Sequence, residues 1–206
     1  MKKFILLVLT LSLSACISTQ VRDFTDPDYI SFSSNKLLVE SPNHLFEKSF
    51  SDELKNINII YAPSSQLFMP TRSYTANEKL EIMKKHSFDS LLTISISGDN
   101  QSSNVVGYNT NSYASANAYS TGYGNAYATG SGTSTTVPIV AHKRNTQAQA
   151  KLYDIKTGRV IWVGNLDTSA SGSLYMSNST TVDSMTNEIV ASLLKKGHLK
   201  KKSPNK

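Results

Sequence analysis

Apolar and polar positions change period several times along this chain, and each change marks an element. Lys36 to Glu40 is a short apolar run through Leu37, Leu38 and Val39, dense enough for a buried strand. Ser41-Pro42 follows as a natural cap and first-turn proline. In the helix predicted next, Phe46, Phe50 and Leu54 recur every four residues with Glu47, Asp52 and Lys55 between them, so one stripe faces the core and the rest faces water. Ile57 to Ala62 reads as a second strand closed by Pro63. Thr75-Ala76-Asn77-Glu78 is a capping-box pattern that opens a second helix through Leu80 and Met83, ending near His86 to Asp89. Ser90 to Ser97, with Leu91, Leu92, Ile94 and Ile96, predicts a third, central strand.

The pattern resumes at Gln147, where Gln147-Ala148-Gln149-Ala150-Lys151-Leu152-Tyr153-Asp154 alternates strictly, turns at Ile155-Lys156-Thr157-Gly158 and continues as Arg159-Val160-Ile161-Trp162-Val163. This is a hairpin, with Gly158 supplying the positive φ of its turn. A last helix over roughly Val182 to Lys196 spaces Val182, Met185, Ile189 and Leu193 along one face and ends at Gly197. The predicted fold is therefore α+β: a mixed sheet with about three helices over it, spanning residues 36–197.

The amino terminus predicts an address. Lys2 and Lys3 precede about ten apolar residues, Phe4 to Leu13, too few to span a bilayer and typical of a cleaved signal peptide. Leu13-Ser14-Ala15-Cys16 matches a lipobox, so residues 1–15 are expected to be removed and Cys16 to carry a covalent lipid. Acylation would occupy the sulfur of the one cysteine, leaving no intramolecular disulfide. Each buried methylene of such an anchor contributes about 0.8 kcal/mol. Ile17 in place of aspartate after the cysteine suggests an outer-membrane lipoprotein facing the periplasm. Residues 16–35 are polar, punctuated by Asp26-Pro27-Asp28, and read as a tether.

Charge adds little. The formal net charge is +6, but Lys2 and Lys3 leave with the signal peptide and six lysines lie in the last twelve residues. Residues 198–206 thus read as a solvated basic tail, and an exported protein with a nearly neutral body is not expected to bind nucleic acid.

Gly98 to Arg144 breaks every pattern above: Asn, Ser, Thr, Gly, Ala and Tyr dominate it and large aliphatics almost vanish, so it builds no core of its own. A degenerate unit, Asn-x-Tyr-small-x-small, starts at Asn111, Asn117 and Asn125, and residues 113–128 alternate with period two. Three conformations fit: a flexible loop, a projecting β-hairpin, and a strand pair in an oligomeric outer-membrane barrel. The barrel fits least, because neither face offers the Leu, Val or Phe that lipid requires. Tyrosines backed by small residues suit partner contact or stacking on sugar rings, which makes Tyr113, Tyr119, Tyr123 and Tyr127 the candidate contact residues.

Catalytic patterns are missing. His44, His86, His142 and His198 stand far apart without ligand spacing, so no metal or other cofactor is expected beyond the lipid on Cys16. There is no nucleophile elbow and no phosphate loop. Asp23, Asp26 and Asp28 lack the glycine and distal glutamate of a calcium loop. Asp154 and Asp167 suit turn and surface roles.

The element order, with Leu152-Tyr153-Asp154-x-x-Thr157-Gly158-x-Val160-x-Trp162, resembles the small domain shared by envelope lipoproteins related to the curli secretion channel protein CsgG, the peptidoglycan-synthase activator LpoB and the amino-terminal domain of TolB. That resemblance implies a non-catalytic envelope role: a binding or assembly module, a subunit of an oligomeric secretion pore, or a regulator of an envelope enzyme. The expected partners are the membrane, through the lipid, and another envelope protein or further copies of this chain. No small-molecule ligand is specified.

Overall fold

A computed structural model describes residues 16–57, 59–121, 125–172 and 177–201, with the backbone alone for 118–121 and 125–128. Six strands form one mixed sheet: β1 (Cys16–Thr25), β2 (Lys36–Glu40), β3 (Ile60–Pro63), β4 (Ser90–Thr121), β5 (Asn125–Asp154) and β6 (Val160–Gly172). Their spatial order is β1-β6-β5-β4-β2-β3, with β2 parallel to β3 and β4 and the other pairs antiparallel. The helices are α1 (His44–Asn56), the single turn α2 (Ser64–Leu67), α3 (Ala76–Lys85) and α4 (Asn178–Lys195). The fold is α+β, as the pattern predicts.

The main core lies between the sheet and the α1–α4 pair: Phe46, Phe50 and Leu54 of α1 and Met185, Ile189 and Leu193 of α4 pack against Leu92, Leu152, Trp162 and Leu166. The every-fourth stripe of α1 is this contact. A smaller core on the opposite face joins Leu38, Met83, Phe88 and Ile155, with Leu80 and Leu91 against it. It covers only the β2–β3 side of the sheet.

Local boundaries follow from caps. Asn43, not Ser41-Pro42, caps α1, its side chain accepting from the Leu45 and Phe46 amides. The capping box at Thr75 and Glu78 forms as the sequence requires. Ser177 caps α4, which starts at Asn178, four residues before the predicted Val182, because the Asn178–Thr181 turn is too polar to carry an apolar stripe. The Asp154 turn is held by its own side chains. One carboxylate oxygen accepts from the Lys156 amide and the other from the Thr157 hydroxyl, while Gly158 takes φ 72°.

Two expectations about the ends are corrected. Cys16–Thr25 is no tether: it pairs with β6 over its whole length, from Cys16 opposite Ser171 to Thr25 opposite Trp162. Residues 26–35 are docked as well, through Arg159 to Asp26 (2.9 Å) and Ser34 to Asp89 (3.0 Å). The basic tail does not start at 198: His198 and Leu199 are buried, and the His198 ring bonds the Phe32 carbonyl (3.0 Å) and the Thr25 hydroxyl (3.2 Å). Exposure resumes only at Lys200.

Candidate functional site

The insertion is a hairpin. β4 and β5 pair from Ser90 opposite Asp154 to Thr121 opposite Asn125. β6 accompanies β5 only as far as Gly172 opposite His142. Beyond that rung the six-stranded sheet narrows to a two-stranded arm. At about 3.3 Å per residue the arm reaches roughly 60 Å past the body. Its first rungs belong to the body: Arg144 clamps Asp99 (Nε to Oδ1 2.8 Å), Thr146 donates to the same carboxylate (2.9 Å), and Arg144 also reaches Asn178 at the start of α4. The Arg144 guanidinium, working against partial burial, holds the Asp99 carboxyl below its usual pKa.

Two irregularities, between Ile96 and Gly98 and between Val105 and Gly107, each insert one residue into β4. Each reverses which side of the ribbon its side chains face, and the second restores what the first changed. Beyond the second bulge one side of the arm carries Asn109, Asn111, Tyr113, Ser115 and Asn117 with their partners Val137, Thr135, Thr133, Ser131 and Thr129. The other begins with Tyr108 opposite Pro138 and Thr110 opposite Thr136 and narrows to small residues, Ser112 opposite Ser134, Ala114 opposite Gly132 and Ala116 opposite Gly130. This is the two-fold alternation of the sequence, resolved into faces.

Of the predicted contact residues, Tyr113 is 79% exposed. Tyr119 stands opposite Tyr127 in the ladder, at positions of the same parity as Tyr113. Tyr123 and the lipobox residues Leu13, Ser14 and Ala15 lie outside the described residues. Reading the sequence missed an apolar belt at the root of the arm, where Val105, Val106, Tyr108, Val137 and Ile139 are all exposed. The available signals were the runs Val105-Val106 and Val137-Pro138-Ile139-Val140, masked by their polar surroundings.

Cys16 is exposed and occupies the same row as the arm's root: Cys16 pairs with Ser171, Ser171 with Lys143 and Lys143 with Ser102. A lipid there would therefore sit level with the point where the arm leaves the body.

Other candidate groups are already engaged. Asp23 accepts from Ser192 and pairs with Lys196 (3.0 Å). Burial opposes its charge, but these partners prevail and its pKa is lowered. Asp26 and Asp28 share Arg159, whose pKa the Asp26 carboxylate raises. Asp167 pairs with Arg22 (3.0 Å). His142 bonds Ser103 (2.8 Å). Among the described residues no three His, Cys, Asp or Glu side chains converge on a metal-sized site, and no helix is long and apolar enough to cross a membrane.

No protein-family model matches the sequence, and no curated protein matches it. Among solved structures, it is similar to the PelC dodecamer of Paraburkholderia phytofirmans at 13% identity, covering 89% of this chain and 99% of that one with a TM-score of 0.46. A point-substituted form of the same PelC aligns at 13% identity over 85% of this chain and 98% of that chain, with a TM-score of 0.48. Both values describe a loose likeness of chain path.

Proposed function

We propose that this chain is a lipoprotein anchored through Cys16 in the outer membrane, facing the periplasm, and that it works by binding rather than catalysis, with the hairpin arm as its contact element. The observation that carries this reading is the open ribbon. Among the described residues the outer edge of β4 beyond Thr93 and that of β5 before His142 have no neighbouring strand. A two-stranded ribbon is marginally stable alone in water, and its free amides and carbonyls are ready to pair with another chain. No residue of the main core lies on it, so a partner is what the arm serves.

Deleting residues 104–141 and joining Ser103 to His142 through a short turn tests this. The shortened protein is expected to fold and reach the membrane but to lose its crosslinked partners. Recovery of the same partners would refute the arm as the contact element.

A second reading makes several copies partners of one another in a ring or pore. The apolar belt just beyond the Cys16 row favours it, because that belt would lie nearest the lipid. Open strand edges are not tolerated in hydrocarbon, so entry into the bilayer demands that arms close on one another. This reading expects a detergent-resistant oligomer; a monomer at all concentrations in mild detergent counts against it.

A further inference from the structure

The helices leave part of the sheet bare. α1 and α4 cover one face, and the smaller core covers the other only around Leu38, Met83 and Phe88. Over β1, β6 and β5 that second face is open. Two adjoining hollows lie on it, of about 370 Å³ and 350 Å³, sharing Gln147 and Asp167. Their rims are almost entirely amides and hydroxyls, including Gln20, Gln149, Asn165 and Ser169.

The groups are held in place. Gln149 donates its amide to the Asn165 carbonyl (2.8 Å), which leaves the Gln149 carbonyl and the Asn165 amino group for a ligand. Arg22 and Asp167 form an ion pair (3.0 Å), so this part of the face has directional hydrogen-bonding groups and almost no net charge. Beside them on the same face of β1, two residues beyond Arg22, stands Phe24, 67% exposed. The same face continues up the ribbon as Asn100 opposite Asn145, Ser102 opposite Lys143 and Asn111 opposite Thr135, reaching Tyr113.

These features select a ligand class. A protein partner would want apolar anchors at the centre of its footprint, where the two hollows offer amides, hydroxyls and the Arg22–Asp167 pair; the exposed apolar side chains, Phe24 on β1 and Val137 and Ile139 on the arm, lie outside them. A nucleic acid would want a continuous run of unpaired cations; the arginine in the hollows is neutralised by Asp167, and Lys143 and Lys151 stand singly on this face, outside the hollows. A pair of hollows without net charge, lined by fixed amides and hydroxyls and flanked by an exposed aromatic ring, complements a polyhydroxylated chain: hydroxyls meet the amides and the Arg22–Asp167 pair, and the apolar face of a sugar ring lies on Phe24. Two consecutive hollows opening onto a track make that chain linear.

We propose that the bare face is a binding site for a linear, uncharged glycan, held at Gln147, Gln149, Asn165 and the Arg22–Asp167 pair and stacked on Phe24. The proposal rests on the binding-protein reading and names a ligand for it, at a surface separate from the arm's edges.

The test is calorimetric titration of the full-length lipidated protein in mild detergent with cellohexaose and chitohexaose, with inorganic polyphosphate as a charged comparator. At least one oligosaccharide is expected to bind, and Phe24→Ala and Asn165→Ala should each weaken it about tenfold, the loss of one ring stack or one well-placed hydrogen bond. Phe24 is exposed, so its variant should melt with the wild type and separate ligand loss from misfolding. No binding at millimolar oligosaccharide, affinity unchanged in both variants, or preference for polyphosphate would each overturn the proposal. The protein shortened at 104–141 should still bind the oligosaccharide while losing its crosslinked partners, so this site and the arm fail independently.

Discussion

Gly164 shows how much one missing methyl can matter. A Cβ there would collide with the Trp162 ring, and Trp162 is fully buried, so the ring cannot swing away. Gly164→Ala is expected to cost about 1–3 kcal/mol, seen as a lower denaturation midpoint; an unchanged midpoint would mean that the indole has room to move. Asp99 and Asp23 carry a pH dependence. Both carboxyls are lowered in the folded state, so their stabilisation is complete above the unfolded value of about 3.9 and fades as pH falls through the folded values. Denaturation midpoints measured from neutral pH downward should fall less steeply below about pH 4 in Asp99→Asn than in the wild type; parallel curves would contradict the Arg144 clamp. Some of this was legible in the sequence. The Asp154-x-x-Thr157-Gly158 turn and the Thr75–Glu78 box are local, and local chemistry is written in neighbouring residues. The Asp99–Arg144 pair joins positions 45 apart, which no spacing rule finds.

At the scale of elements, β1 is the instructive failure. Its inward positions include Thr19 and Asp23, which look wet in sequence and are instead satisfied across the core face by Ser184 (2.7 Å), Ser192 and Lys196. A strand whose inner face mixes Ile17 and Val21 with bonded polar residues lacks the unbroken hydrophobic alternation by which strands are recognised. α1 is the opposite case: Phe46, Phe50 and Leu54 are fully buried, as their spacing requires. Phe50→Ala should therefore cost about 3–5 kcal/mol by chemical denaturation, and a change below about 1 kcal/mol would place α1 off the core. The arm stands between these cases. Its period-two alternation was visible, but pairing register and bulges depend on the partner strand, so the sequence alone left loop, hairpin and barrel open.

For the whole molecule, the body and the arm divide the work. The α1–α4 layer and the two cores hold the sheet; the arm, the bare face and the Cys16 row are left for contact. Cys16 and the arm's root share one row of the sheet, so a lipid on Cys16 would set where the arm begins, whichever partner it meets. The lysines at 200 and 201 follow His198, which is bonded to Thr25 at the opposite end of β1 from Cys16. They therefore lie on the side away from Cys16, a placement that composition could not give.

If the arm is where this protein meets its partners, its loss must change the state of association. Light scattering of the lipidated protein, purified from membranes in mild detergent, tests it most directly when the full chain is compared with the form lacking residues 104–141. The full chain is expected to be heavier than a monomer, as an oligomer or a complex, and the shortened chain to return to monomer mass. Equal states of association for the two would contradict it.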